Sequence, residues 1–245
     1  MQTYMSGAEY KALSREKLLG RYGTMIGALA CMGFLSSLLV QFLTPILRFT
    51  GQRILILFVT QFVGTFLQYM FQAGFSFMYL KIACDQYVML GDVFYGFRSE
   101  VKKVASLSLI LSLVSTVCML PFDLWERMMV SSSVNGGAFL LLSVLGIAGI
   151  TVLILVSLTF SQVFFLLCDF PAYTTSQLLS SSAAIMRGNK GRLFYLELSF
   201  VPLYLLGTLS LGLGFLWIIP YVGMTEAEFY LDTLRKRNQV TNTYM

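Results

Sequence analysis

Apolar positions along this chain fall into long runs, separated by short polar stretches rich in Lys and Arg. Residues 25–47 make the first run, closed by Pro45 and Arg48, and residues 54–80 the second, after the tight link Thr50-Gly51-Gln52-Arg53. The third covers 104–122 and ends at Pro121. The fourth covers 138–168 and stops at Asp169-Phe170-Pro171. Crossing the hydrocarbon of a bilayer takes about 20 apolar residues in a helix, so each run predicts a membrane span. Polar segments 1–21, 81–103 and 174–192 read as interfacial pieces, and Leu13, Leu18 and Leu19 give the first an amphipathic look.

The last apolar stretch, 193–221, is about 44 Å of helix at 1.5 Å per residue, long for one crossing and short for two. Basic residues decide between them. With the N-terminus inside, four lie before the first run, four between Lys81 and Lys103, and three at Arg187, Lys190 and Arg192. Outside lie Arg48, Arg53 and Arg127, and the tail carries Arg235, Lys236 and Arg237. A tail that is also inside leaves only those three of the 17 basic residues outside, as the positive-inside rule favours. The stretch is therefore expected to turn back at Gly212 to Gly214, as two short spans or a re-entrant hairpin. Six membrane segments result, in an all-α polytopic transmembrane helical bundle. Its organisation is a single domain: a cytoplasmic N-terminus (1–21), a membrane bundle (22–224) and a cytoplasmic amphipathic tail (225–245).

Composition agrees. Apolar residues make up 57% of the chain and charged residues 12%, against about half and a quarter in soluble domains. So few charges cannot cover a soluble core of this size. The net charge of +5 does not indicate nucleic acid, because the cations cluster between apolar runs instead of along one face. They serve as topology signals and as contacts for anionic lipid headgroups. Histidine is absent, which removes the commonest general base and metal ligand. Cys31, Cys84, Cys118 and Cys168 fit no metal or redox spacing, so no metal or cofactor is expected. Ala28-Leu29-Ala30 resembles a signal cleavage site, but the apolar run continues past it to Leu47, as a membrane helix would.

Polar side chains inside the runs come next, because lipid makes them costly. Gln61, Thr65, Gln68, Gln72 and Ser76 recur at steps of four, three, four and four, one face of the second helix. Ser37, Gln41 and Thr44 form a shorter stripe on the first helix, and Ser108, Ser112 and Ser115 another on the third. Such stripes line a polar cavity or hydrogen-bond helices to one another. Glu197 is an acid one turn inside the fifth helix, placed for a proton- or cation-coupled role or for an interfacial ion pair. The candidate cavity set is thus Gln41, Gln61, Gln68, Gln72 and Glu197. Arg187, Lys190 and Arg192 precede the same helix among Gly188, Asn189 and Gly191, a candidate anionic headgroup or phosphate site. The spacing is not that of a P-loop.

Two runs carry a family likeness. They are Met186-Arg-Gly-Asn-Lys-Gly-Arg-Leu-Phe-Tyr-Leu-Glu-Leu-Ser-Phe200 and Leu205-Leu-Gly-Thr-Leu-Ser-Leu-Gly-Leu-Gly-Phe-Leu-Trp-Ile-Ile-Pro-Tyr221, with Thr225, Phe229 and Tyr230 following. With Gly91 to Phe97 and the Asp169-Phe170-Pro171 break, they resemble the bacterial integral-membrane family known as domain of unknown function nine-seventy-five. Val201-Pro202 replaces a more usual glycine-tryptophan type pair, so a different kink is expected there. The resemblance implies a bacterial plasma membrane protein and imports no chemistry. Three function classes remain: a small transporter- or channel-like protein, then a non-catalytic accessory, assembly or protective factor, and well below both an enzyme. The second would bind a protein partner, a second copy of itself or anionic lipid. An enzyme would need two acids brought together by the fold, since the acids are scattered singly.

Overall fold

A computed structural model of the chain describes residues 4–48, 53–130 and 136–243. Helices run in the order α1 (Gly7–Leu18), α2 (Tyr22–Arg48), α3 (Arg53–Ala83), a 3-10 turn (Leu90–Phe94), α4 (Tyr95–Arg98) and α5 (Val101–Val130). There follow α6 (Gly136–Phe160), α7 (Val163–Asp169), α8 (Thr175–Met186), α9 (Lys190–Leu198), α10 (Val201–Leu209) and α11 (Phe215–Thr243). Among the described residues there is no strand, and five stretches are long and apolar enough to cross a membrane: Tyr22–Leu47, Leu55–Ala83, Val101–Glu126, Gly136–Asp169 and Lys190–Leu209.

Several boundaries differ from the sequence reading, each for a backbone reason. Pro45 and Pro121 do not end their helices but lie inside α2 and α5. Each proline removes one intrahelical bond, whereas unwinding in lipid would strand many backbone groups at once, so the helix continues. Much of the expected loop 123–137 is therefore helix up to Val130. The fourth run is α6 and α7, parted at Ser161 and Gln162. The link at 50–52 and the serine run at 131–133 lie outside the described residues. The chain turns at 210–214, where Leu211 and Gly212 adopt left-handed φ of 55° and 88°, a conformation that glycine takes without strain. The expected sixth segment is the start of α11. Its apolar stretch is too short to count with the five, since Thr225 and Glu226 follow within one continuous helix.

The chain divides into two compact units. The first comprises 1–32, 71–101 and 158–245. There α1 turns a face of Tyr10, Ser14 and Leu18 inward, one residue per turn, and packs it along α11. Leu13, expected at a membrane surface, is half-buried, and Leu19 is exposed. Tyr230 stacks on Phe165 at 5.3 Å and donates a hydrogen bond to Asp169 at 2.8 Å, tying α11 to α7. Gly74 of α3 lies directly on the Val93 carbonyl, and Gly223 of α11 lies against the Tyr79 ring.

The second unit comprises 33–70 and 102–157. Its helices close through small and polar residues, as membrane helices do. Gly149 of α6 rests on the Cys118 carbonyl of α5, and Gly146 on Phe122. Tyr69 of α3 and Ser115 of α5 share a hydrogen bond at 2.9 Å, and Thr65 approaches Thr116 at 3.5 Å. The remaining surface of α6 from Leu140 to Leu155 is almost wholly apolar, and the exposed Thr151 turns its hydroxyl back to the Ile147 carbonyl at 2.8 Å. A helix apolar all round requires an apolar surround.

Candidate functional site

In the first unit, a half-open cavity of about 800 Å³ is lined by α1, the α8–α9 turn, α9 and one residue of α11. Local sequence sets each wall. Ser6 and Glu9 form a capping box that starts α1: the Glu9 amide donates to Ser6 Oγ, and the Ser6 amide donates to the Glu9 carboxylate at 2.6 Å. That carboxyl is held below its ordinary range by the bond from the Ser6 amide. Gly188, at φ 84°, makes the reversal between α8 and α9. Asn189 then caps no amide of α9 with its side chain. Instead it donates to the Ile185 carbonyl and accepts from Arg192 Nη1, at 2.9 and 3.0 Å. The first amides of α9 point out of the helix without an intrahelical carbonyl.

Arg192 is the hub. Its Nη2 donates to the Tyr10 hydroxyl at 2.9 Å and lies 3.7 Å from Asp232, and its guanidinium carbon stands 3.6 Å from the Tyr4 ring centroid. Tyr10 in turn donates to Asp232 Oδ2 at 2.5 Å. Burial first, and then this bond to a carboxylate, push the Tyr10 phenol above its ordinary range. At the other end of α9, Lys11 donates to the Ser199 carbonyl at 3.1 Å and sits 4.2 Å over the Phe200 ring. Met5, Ala8, Leu196 and Phe229 make the rest of the lining apolar, and the exposed Tyr195 rims it. The lining is thus mostly apolar, with two cations, Lys11 and Arg192, among it.

The residues singled out from sequence separate in the structure. Of the three cations, only Arg192 lines the cavity. Arg187 is exposed at the end of α8, and Lys190 donates to Thr159 Oγ1 at 2.6 Å, tying α9 to the end of α6. Gln41 and Gln68 are exposed, and Gln61 and Gln72 half-buried. Gln61 and Gln68 belong to the second unit and Gln72 to the first, so the stripe is not one wall of the cavity just described. Glu197 lies near enough to Glu226 of the same unit for their charges to interact, and Tyr204 is within reach of both charges.

Sequence reasoning missed Tyr10, Lys11, Asp232 and Glu226. Tyr10, Ser14 and Leu18 recur at steps of four, which was the available signal for the first of these. Asp232 and Glu226 had none, because only the return of α11 brings them to α1 and α9. Among the described residues, no three His, Cys, Asp or Glu side chains gather as a metal site.

Glu226 lies beyond the five spans. Burial, and then the Glu197 charge, raise its carboxyl to about 8, against about 4.3 in an unfolded chain. The folded protein thus holds this proton more tightly, and stability falls as pH rises from about 4.3 towards 8. Glu226→Gln is expected to flatten that fall in a melting-temperature profile. An unchanged slope would mean that the carboxyl is solvated.

Five long apolar helices, closed internally by glycine contacts and hydroxyl pairs, make this an integral, multi-pass helical membrane protein. The family model described as protein of unknown function DUF975 matches residues 5–238, and the chain belongs to that family. No curated protein and no solved structure matches it.

Proposed function

We propose that this chain is a non-catalytic membrane factor that holds an amphiphile with an anionic head in the cavity of α1, α9 and α11. One observation carries the reading: the chamber pairs an apolar lining with the two cations Lys11 and Arg192. Its orientation follows from the basic residues, with both termini on the cytoplasmic side of a plasma membrane and α10 and the start of α11 forming a short last pair. The cavity then lies at the cytoplasmic surface, where anionic lipid heads are found.

A second reading, a small transporter- or channel-like protein, draws on Glu197 and Glu226 lying within range of each other's charge near Tyr204. Two acids on separate helices near a broken helix pair are an arrangement used for proton or cation coupling. The glutamine stripe would then supply the polar path.

Native mass spectra of protein released gently from membranes separate the two. Gly191 lines the cavity, and a side chain added there would meet open space. Gly191→Phe is therefore expected to obstruct part of the chamber and weaken retention of an amphiphile while leaving the fold intact. A polar adduct that survives Gly191→Phe but disappears in the Gln68→Leu, Gln72→Leu double variant would favour transport.

A further inference from the structure

We infer that residues 199–221 form a re-entrant hairpin, which enters the bilayer from the cytoplasmic side, turns among the acyl chains near the midplane and leaves by the same side. This goes beyond the cavity reading and takes from it only the orientation of the chain. The fifth apolar stretch, Lys190–Leu209, is long enough to cross by composition, but contacts with α1 hold its first part at the surface. Helix α1 carries Glu9, Lys11, Arg15, Glu16 and Lys17, so it lies outside the hydrocarbon. It meets that stretch where Tyr10 bonds Arg192, where Gly7 lies by Leu196, and where Lys11 reaches the Ser199 carbonyl. On the returning arm, the Tyr221 hydroxyl donates to the Lys11 carbonyl at 3.3 Å. Ser199 and Tyr221 therefore mark the membrane surface on the two arms. At 1.5 Å per residue, Ser199 to Ser210 is at most about 17 Å of helix, and Gly214 to Tyr221 about 11 Å. The hydrocarbon is about 30 Å thick, so both arms end near its middle.

The turn is built for that depth. Lipid offers no water to an open backbone, so the amides of a turn there must find partners within the chain. Every amide from Ser210 to Ile218 does. Those of 210–213 donate to carbonyls of Leu206, Thr208, Gly207 and Ser210, and those of 215–218 to Gly212, Leu213 and Gly214. The remaining one, of Gly214, donates to the Ser210 hydroxyl at 2.8 Å. That hydroxyl in turn donates to the Gly207 carbonyl, and the Thr208 hydroxyl to the Tyr204 carbonyl, which leaves neither one's hydrogen open. A turn in water carries polar side chains. This one presents Leu209, Leu211 and Leu213, which are 79%, 95% and 65% exposed. No charged residue stands between Glu197 and Glu226. The two arms touch, since a carbon added to Gly214 would come within 2.9 Å of the Gly207 Cα. The tip is thus apolar outside and hydrogen-bonded inside, and its surface continues into the exposed Leu205 and Leu206 of α10.

Tryptophan depth in bilayer vesicles tests this on the full chain, whose two tryptophans are Trp125 and Trp217. Trp125→Phe leaves Trp217 as the reporter. Adding Trp217→Phe with Leu211→Trp moves the reporter to the tip, and Leu209→Trp repeats the tip reading without touching the left-handed turn. Phosphatidylcholine brominated at different carbons of its chains measures the depth of each reporter. Trp217 stands four residues from Tyr221, so the tip reporters are expected about 5 Å or more nearer the bilayer centre than Trp217. Iodide on either side should quench none of them. Two complete crossings predict the reverse order, with the tip reporters shallower than Trp217 and open to iodide at the far surface, and that result overturns the hairpin. Iodide quenching of all three reporters from one side places the segment on the membrane surface and overturns it too. Depth does not depend on which way the protein faces. Trypsin that cuts after Arg235 in inside-out vesicles supports the cytoplasmic leaflet, whereas a cut in right-side-out vesicles overturns that leaflet and the orientation read above, whatever the depth.

Discussion

Gly74→Ala is expected to lower the melting temperature of the purified protein by roughly 4–10 °C, at about 2–4 °C per kcal/mol for a chain of this size. In a solvated helix the change would help, since alanine is favoured over glycine by about 1 kcal/mol. Here the added carbon would sit on the Val93 carbonyl, with the Val93 backbone behind it and no flexible side chain to yield. Overpacking of this kind costs about 1–3 kcal/mol, and contact with backbone belongs at the upper end. The strain would separate α3 from the 3-10 turn. Gly23→Ala is the control, because a carbon added there meets nothing within contact range. Melting curves of both variants check the claim, and a Gly74→Ala protein as stable as Gly23→Ala would contradict the packing.

The second large effect is expected at Asp232. Its carboxylate joins Tyr10 of α1 and Arg192 of α9 to α11, and its side chain keeps 11% of its exposure against 28% for Arg192. Removing one partner of a fully buried pair costs about 3–5 kcal/mol, and the exposure of Arg192 brings Asp232→Ala to about 2–3 kcal/mol. Asp232→Asn still accepts from the Tyr10 hydroxyl and should lose less. Because the loss falls on the seat of α1, trypsin should cut after Lys11 or Arg15 sooner in Asp232→Ala than in the original chain. Equal digestion rates would mean that apolar packing of Tyr10 and Leu18 alone holds α1 in place.

The membrane architecture was legible from sequence because lipid imposes a one-dimensional rule: a helix must stay apolar for about 20 residues. Runs such as 138–168 obey it whatever they pack against. Helix ends were less legible. A proline ends a helix in water, but Pro45 and Pro121 stand inside helices whose continuation keeps backbone groups paired. The glycines at 146 and 149 marked a close helix contact, and α5 supplies it. The site was half legible. Arg192 stood out by its place at the start of a helix, whereas its partners Tyr10 and Asp232 lie 182 residues upstream and on α11. Sequence spacing carries no trace of such a meeting. Likewise Glu197 was visible as an acid within an apolar run, but its neighbour Glu226 became visible only with the turn at 210–214.

Labelling with a photoactivatable phosphatidylglycerol, followed by peptide mapping, tests the cavity most directly. The reagent should mark residues 5–11 and 188–199, and Gly191→Phe should weaken both marks together. Label confined to α3 around Gln61 to Gln72, or unchanged by Gly191→Phe, would contradict the account and move the polar stripe to the centre of the function.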